Sequence, residues 1–89
     1  MTLDLQNEIR LAEEADTLLA SEAFNNVTTH IREQALAILA SSQPDEIAFR
    51  EQQYHLVRAI DEIDTHLITL SQGGTVARKQ LEALNNRIQ

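Results

Sequence analysis

The chain has 89 residues and a net charge of −7, and it contains two glycines, one proline and no cysteine. A chain of this length buries roughly 60–65% of its unfolded surface, so we expect one domain over residues 1–89 with a thin core and no disulfide. The scarcity of turn-forming residues excludes an all-β domain and favours helix. The acidic excess opposes attraction to phosphate backbones and anionic lipids, so neither nucleic acid nor a membrane is expected as a partner.

Apolar spacing predicts four helices. The first covers about residues 4–20, where apolar side chains recur at helical intervals. The second covers about residues 21–40 and has Ser21 as its N-cap, although the asparagines and threonines near its start are poor helix formers. A fourth helix is expected over about residues 75–88, after the turn at Gly73 and Gly74.

The third predicted helix gives the strongest periodic signal. Pro44 is expected to open it, because proline suits the first turn of a helix, and Gly73 is expected to close it with a left-handed cap. Over about residues 44–72 it carries a heptad seam, interrupted only at Gln53, which consists of Phe49, Leu56, Ile60, Ile63, Leu67 and Leu70. The expected fold is all-α: a long antiparallel hairpin of the helices over 21–40 and 44–72, flanked by the shorter helices over 4–20 and 75–88.

No group of side chains indicates an enzyme or a metal site. His55 and His66 each follow a glutamate by four residues, whereas di-metal sites in helical bundles use the spacing Glu-x-x-His. The serines fall at caps and turns, without the activating base or glycine-flanked turn that a nucleophile needs. Three basic residues in the last helix, without interleaved aromatics, are too few for nucleic-acid binding. We therefore expect no catalysis and no cofactor.

Interface candidates come from three parts of the chain. The first helix is acidic while residues 73–89 are mildly basic, a polarity that suits contacts within or between copies. A third helix of about 42 Å is too long to be covered by one short neighbour, so we expect a homo-oligomer or a permanent protein partner. The apolar stripe of the last helix continues to the penultimate residue and also needs a partner. The candidate residues are Glu13, Glu14, Asp16, Arg50, Tyr54, Arg58, Leu81, Leu84 and Ile88.

The order of these features resembles a group of small helical proteins encoded in tailed-bacteriophage genomes. The resemblance covers about residues 12–84, and it consists of a Leu-Leu pair, a small-Phe step, an acidic turn, an Arg-Glu pair and a helix that ends at glycine. The matching positions are Leu18 and Leu19, Ala23 and Phe24, Asp45, Arg50 and Glu51, Ala59 and Ile60, and Gly73 or Gly74. An aromatic residue that is common late in the second helix of that group is missing here.

The resemblance implies a virion-associated or assembly protein, such as a head, connector or scaffold-like component. Its partners would be phage structural proteins or further copies of itself, in the host cytoplasm during infection or in the virion. The absence of a signal-peptide pattern in MTLDLQNEIR agrees with a cytoplasmic location. The alternative is an inhibitor or anti-defence protein that presents an acidic helical surface to a host enzyme. The acidic residues of the third helix do not all project together at 100° per residue, which counts against this alternative.

Overall fold

A computed structural model describes residues 2–88 of the chain, with side chains through Arg87. The described part consists of three helices, α1 (Thr2–Ala20), α2 (Glu22–Ser41) and α3 (Ile47–Ile88), and contains no strand. The all-α fold predicted from the sequence is confirmed. The predicted number of four helices is wrong, because the third and fourth are one continuous helix.

One residue, Ser21, separates α1 from α2. Its hydroxyl accepts a hydrogen bond from the backbone N–H of Phe24 at 3.2 Å, which satisfies a donor that the first turn of α2 would otherwise leave free. Thr28, one of the poor helix formers near this end, is buried and donates its hydroxyl to the carbonyl of Phe24 at 3.0 Å. Side-chain bonding and burial therefore hold a helical turn that propensity alone would not.

The connection between α2 and α3 is a turn built around Pro44. The N–H of Glu46 donates to the carbonyl of Gln43 at 3.0 Å, so Pro44 takes the second position of a β-turn, which suits its fixed φ angle. The hydroxyl of Ser42 donates to the carbonyl of Leu39 at 2.8 Å and closes the end of α2. The prediction that Pro44 opens the third helix is therefore wrong, and α3 begins at Ile47.

The helix α3 runs through Gly73 and Gly74 without interruption. Neither glycine has a positive φ angle, so the predicted left-handed cap is absent. Gly74 is buried, and a Cβ atom built on it would overlap the Cβ of Ala12 in α1. A Cβ on Gly73 would meet nothing within 4 Å. Gly74 thus serves close packing of two helices rather than a turn.

Contacts divide the described chain into two compact units. Unit 1 contains α1 and the part of α3 from Thr65 onward, whereas unit 2 is Ser21–Asp64, which includes α2 and the start of α3. The second helix of the predicted hairpin, expected to reach residue 72, is therefore divided between the units, and the hairpin itself stays a prediction. The single cooperative domain expected over residues 1–89 also stays a prediction.

Small residues occupy the centre of each unit. The buried apolar residues are Ala12, Ala15 and Ala77 in unit 1, and Ala35 and Ile60 in unit 2. No large side chain among the described residues is fully buried, and twelve large hydrophobic side chains are classed as exposed. As many again are half-buried, so the described helices cover their large apolar side chains only in part.

Candidate interaction surfaces

The acidic side chains of α1 make polar contacts within unit 1. A carboxylate oxygen of Glu13 accepts a hydrogen bond from Nη2 of Arg78 at 3.5 Å, and one of Asp16 accepts from the hydroxyl of Ser71 at 2.5 Å. The Glu13–Arg78 pair joins the acidic start of the chain to its basic end. Both side chains of this pair are about half exposed, so water and salt screen it strongly. The interface candidates Glu13 and Asp16 are therefore accessible, but each already has a partner inside the chain.

Glu14 makes its ion pair within its own helix. Arg10 lies one turn before it, with 3.6 Å between Nη1 and Oε1, and both side chains are mostly exposed. Pairs of this kind stabilise a helix by about 0.2–0.5 kcal/mol. Glu14 is therefore accessible to a partner at little cost to the fold.

The apolar candidates near the end of α3 are partly used inside unit 1. Leu81 and Leu84 are half-buried. Leu84 lines a shallow groove of about 460 Å³ whose other lining residues are Asp4, Leu5, Gln80, Ala83 and Arg87. The side chain of Ile88 lies outside the described residues. The apolar stripe at the end of α3 was expected to need an external partner, but α1 already covers part of it.

Tyr54 and Arg50 lie together in unit 2. They line a groove of about 320 Å³ with Leu39, Pro44, Ile47 and Glu51. Tyr54 is 53% exposed, and its ring meets the ring of His55 edge to face, with 5.7 Å between centroids. Arg58 is exposed and lies one turn after Tyr54. The exposed Tyr54 ring keeps the position that suits an interface anchor, and its role stays a prediction.

Arg32 forms the strongest polar cluster of unit 2, and sequence reasoning missed it. Its Nη2 donates to Oδ1 of Asp61 at 2.6 Å and to Oδ2 of Asp64 at 3.2 Å, while its Nε also donates to Asp61 at 3.1 Å. The hydrogen bonds that Arg32 donates to Asp61 and, with a smaller effect, to Asp64 raise the pKa of Arg32 above its ordinary value. No local spacing could have revealed the cluster, because its members are 29 and 32 residues apart.

Charge is absent from one side of the helices in unit 2. At 100° per residue, the six charged residues of α3 before Thr65 fall within about 160° of its circumference, and the three of α2 fall within about 100°. These charged residues are Glu22, Arg32, Glu33, Arg50, Glu51, Arg58, Asp61, Glu62 and Asp64. The uncharged remainder of both helices includes several large apolar side chains.

The contact between Arg32 and Asp61 shows how the two helices are oriented. Ala35 on α2 and Ile60 on α3 are buried and mark the facing sides. Because Arg32 meets Asp61 on one flank of these buried residues, the uncharged flanks of both helices lie on the other. We call this flank the uncharged face and define it by Val27, Phe49, Leu56, Ala59 and Ile63. All five are exposed, and the four larger ones are 41–57% exposed.

The described residues contain neither a cluster of metal ligands nor a helix that could span a membrane. They contain no group of three or more His, Cys, Asp or Glu side chains placed to hold a metal ion. None of the described helices has a stretch long and apolar enough to cross a membrane.

Comparison of the chain with family models, curated proteins and solved structures gives no match. The resemblance of residues 12–84 to small tailed-phage proteins therefore stays a prediction. The geometry of the two units and the distribution of exposed apolar side chains are the basis for assigning a role.

Proposed function

We propose that this chain works through protein–protein contacts, as a structural or assembly component. The observation that carries the proposal is the amount of large apolar side-chain surface that the described helices leave exposed. Alanines fill most of the buried positions, while large side chains such as Phe49, Leu56 and Ile63 are more than 40% exposed. Contiguous exposed apolar surface on a soluble domain is typical of contact sites for other proteins.

The resemblance to phage proteins directs this proposal to the virion. A head, connector or scaffold-like accessory needs a small folded unit that presents contact surfaces and performs no chemistry. Helices with exposed apolar and acidic flanks meet that need. Interface candidates such as Tyr54 and Leu84 would then contact phage structural proteins or further copies of the chain.

Mass spectrometry of a phage that encodes this chain tests the assembly role. We expect the chain in purified particles, or in purified assembly intermediates for a scaffold-like role, in a fixed ratio to a known structural protein. A non-structural phage protein measured in the same fractions is the control for carry-over. Absence from both particles and intermediates would refute the assembly role.

The second candidate is an inhibitor that presents acidic side chains to a host enzyme. The charge of unit 2 favours this role, because Ser21–Asp64 contains eight acidic residues and only three basic ones. Arg32, however, neutralises part of the charge of Asp61 and Asp64, which is why this role ranks second. A tagged chain that retrieves a host nuclease or regulator, and prevents its binding to DNA, would support inhibition over assembly.

A further inference from the structure

We propose that two copies of the chain form a dimer through the uncharged face of unit 2. This inference rests on the proposed function, since it names one protein partner and the surface that contacts it. In a two-fold dimer, the same patch of both copies meets itself. Leu56, in the middle of the α3 part of the face, would lie near the two-fold axis.

The composition of the face is that of an interface centre. Interface centres are depleted in charged residues and enriched in aromatic and apolar ones. Phe49, Leu56 and Ile63 follow one another at intervals of seven residues on α3, so they lie in one line along the face, with the uncharged Gln52 and Ala59 between them. Val27 adds an exposed apolar side chain from α2, while the small side chain of Ala59 lets a second helix approach closely.

The distribution of charge favours a second copy as the occupant. Unit 2 has a net charge of −5, and its charged helical residues all lie away from the face. Two copies that met through their charged flanks would bring like charges together, whereas contact through the uncharged face keeps the acidic flanks of both copies in water. A strongly basic partner would gain nothing from this face, because the face offers it no carboxylate.

The area of the face is sufficient for a stable dimer. A helix of 20 residues such as α2 is about 30 Å long, and two helices packed side by side are about 20 Å wide. The face therefore has a footprint of about 600 Å² in each copy, or about 1,200 Å² in the dimer. Specific stable interfaces begin at about this size.

Sedimentation equilibrium of the full chain and of two lysine variants tests the dimer. We expect the wild type to sediment at twice the 10.0 kDa of one chain. Leu56→Lys puts a charge at the centre of the face and should give the mass of one chain. Leu36→Lys is the matched control, since Leu36 is 47% exposed on the charged flank of α2, and it should leave the dimer intact. Circular dichroism verifies that both variants keep their helices.

Cysteine alkylation provides a second test that leaves the apolar side chains of the face intact. The chain has no cysteine, so Ala59→Cys places a single thiol on the face and Arg58→Cys places one on the charged flank. For a dissociation constant of about 1 µM, about nine in ten chains are dimeric at a chain concentration of about 100 µM, whereas most are monomeric at about 0.1 µM. Alkylation at position 59 should therefore be about tenfold slower at the higher concentration. Alkylation at position 58 should not depend on chain concentration.

The outcomes separate this inference from the proposed function. A wild-type chain that sediments as a monomer at about 100 µM would overturn the dimer. A dimer that persists in Leu56→Lys, together with a thiol at position 59 that is alkylated equally fast at both concentrations, would also overturn the proposal, because such a dimer would use another surface. Either result leaves the assembly role to be decided by the particle analysis, and absence of the chain from particles would not affect a dimer measured in solution.

Discussion

The two adjacent glycines of α3 offer a direct test of how this helix is built. Alanine is about 1 kcal/mol more favourable than glycine inside a helix. Gly73 lies in a helical position with nothing within 4 Å of its missing Cβ, so Gly73→Ala should stabilise the protein by about 0.5–1 kcal/mol. If Gly73 instead formed the left-handed cap expected from the sequence, the same substitution would destabilise the protein by about 1–2 kcal/mol.

Gly74→Ala should have the opposite effect, because the new Cβ would overlap the Cβ of Ala12. An alanine Cβ cannot rotate away, so α1 and α3 must move apart within unit 1. Overpacking of this kind costs about 1–3 kcal/mol, which offsets or exceeds the gain in helix propensity. Gly74→Ala should therefore lie between neutral and about 2 kcal/mol less stable than the wild type.

Thermal unfolding followed by circular dichroism measures both variants at one chain concentration, since self-association would raise the midpoint. In a domain of this size, 1 kcal/mol shifts the midpoint by about 4–8 °C, so the expected gap between the two variants is readily measured. A lower midpoint for Gly73→Ala would refute the continuous helix. A midpoint for Gly74→Ala as high as that of Gly73→Ala would refute the close approach of Gly74 to Ala12.

Two further predictions concern unit 2 and use matched controls. In urea unfolding, Arg32→Ala should destabilise the protein more than Arg10→Ala, because Arg32 is less exposed and pairs with Asp61 and Asp64, whereas Arg10 pairs with Glu14 alone. The difference between the two variants should shrink with added salt, and a difference that salt leaves unchanged would contradict this. Ala35→Leu should lower the free energy of unfolding by about 1–3 kcal/mol, because Ala35 is 1% exposed and the larger side chain would overpack the contact. Ala37→Leu, at an exposed position of the same helix, should leave the free energy of unfolding nearly unchanged. Equal effects of the two substitutions would mean that the helices of unit 2 do not pack at Ala35.

Local signals in the sequence predicted the boundaries of α1 and α2 to within two residues. The predicted start of α1 is two residues late, and the predicted end of α2 is one residue early. These boundaries depend on a capping hydroxyl and on apolar spacing, which act over one or two turns. Pro44 misled the prediction because proline suits the first turn of a helix and the second position of a β-turn equally well.

The sequence does contain an indication that α3 is continuous, namely an apolar seam that passes through the two glycines in the same phase. The alternation of three- and four-residue steps in the heptad seam continues from Leu70 to Gly74, Ala77, Leu81 and Leu84. Gly74 thus occupies a seam position, where packing against α1 decides the structure, and the glycine penalty of about 1 kcal/mol per residue is too small to break the helix. A seam that keeps its phase across glycine indicates a continuous helix more reliably than the glycine indicates an end.

The candidate surfaces were only partly predictable, for a different reason. The exposure of Glu13, Glu14, Asp16 and Tyr54 follows from their position off the apolar stripes. The partners of Arg32 depend on which helices pack together, which one sequence without homologues does not reveal. The uncharged face could have been found from the angular distribution of charge on α2 and α3, had the two helices been compared with each other.

The small residues inside each unit explain why so much apolar surface remains outside. Axes of packed helices lie 8–10 Å apart depending on the side chains at the contact, and alanine or glycine at positions such as Ala12, Ala77 and Gly74 places them close together. In unit 1, close helices leave little room between them for large side chains. In unit 2, Ile60 is buried, whereas Leu56 lies on the flank and is 41% exposed. The described helices therefore leave large side chains such as Leu56 exposed on their flanks, where the proposed dimer would use them. A charge at Leu56 should for this reason disturb association far more than it disturbs helix packing inside unit 2.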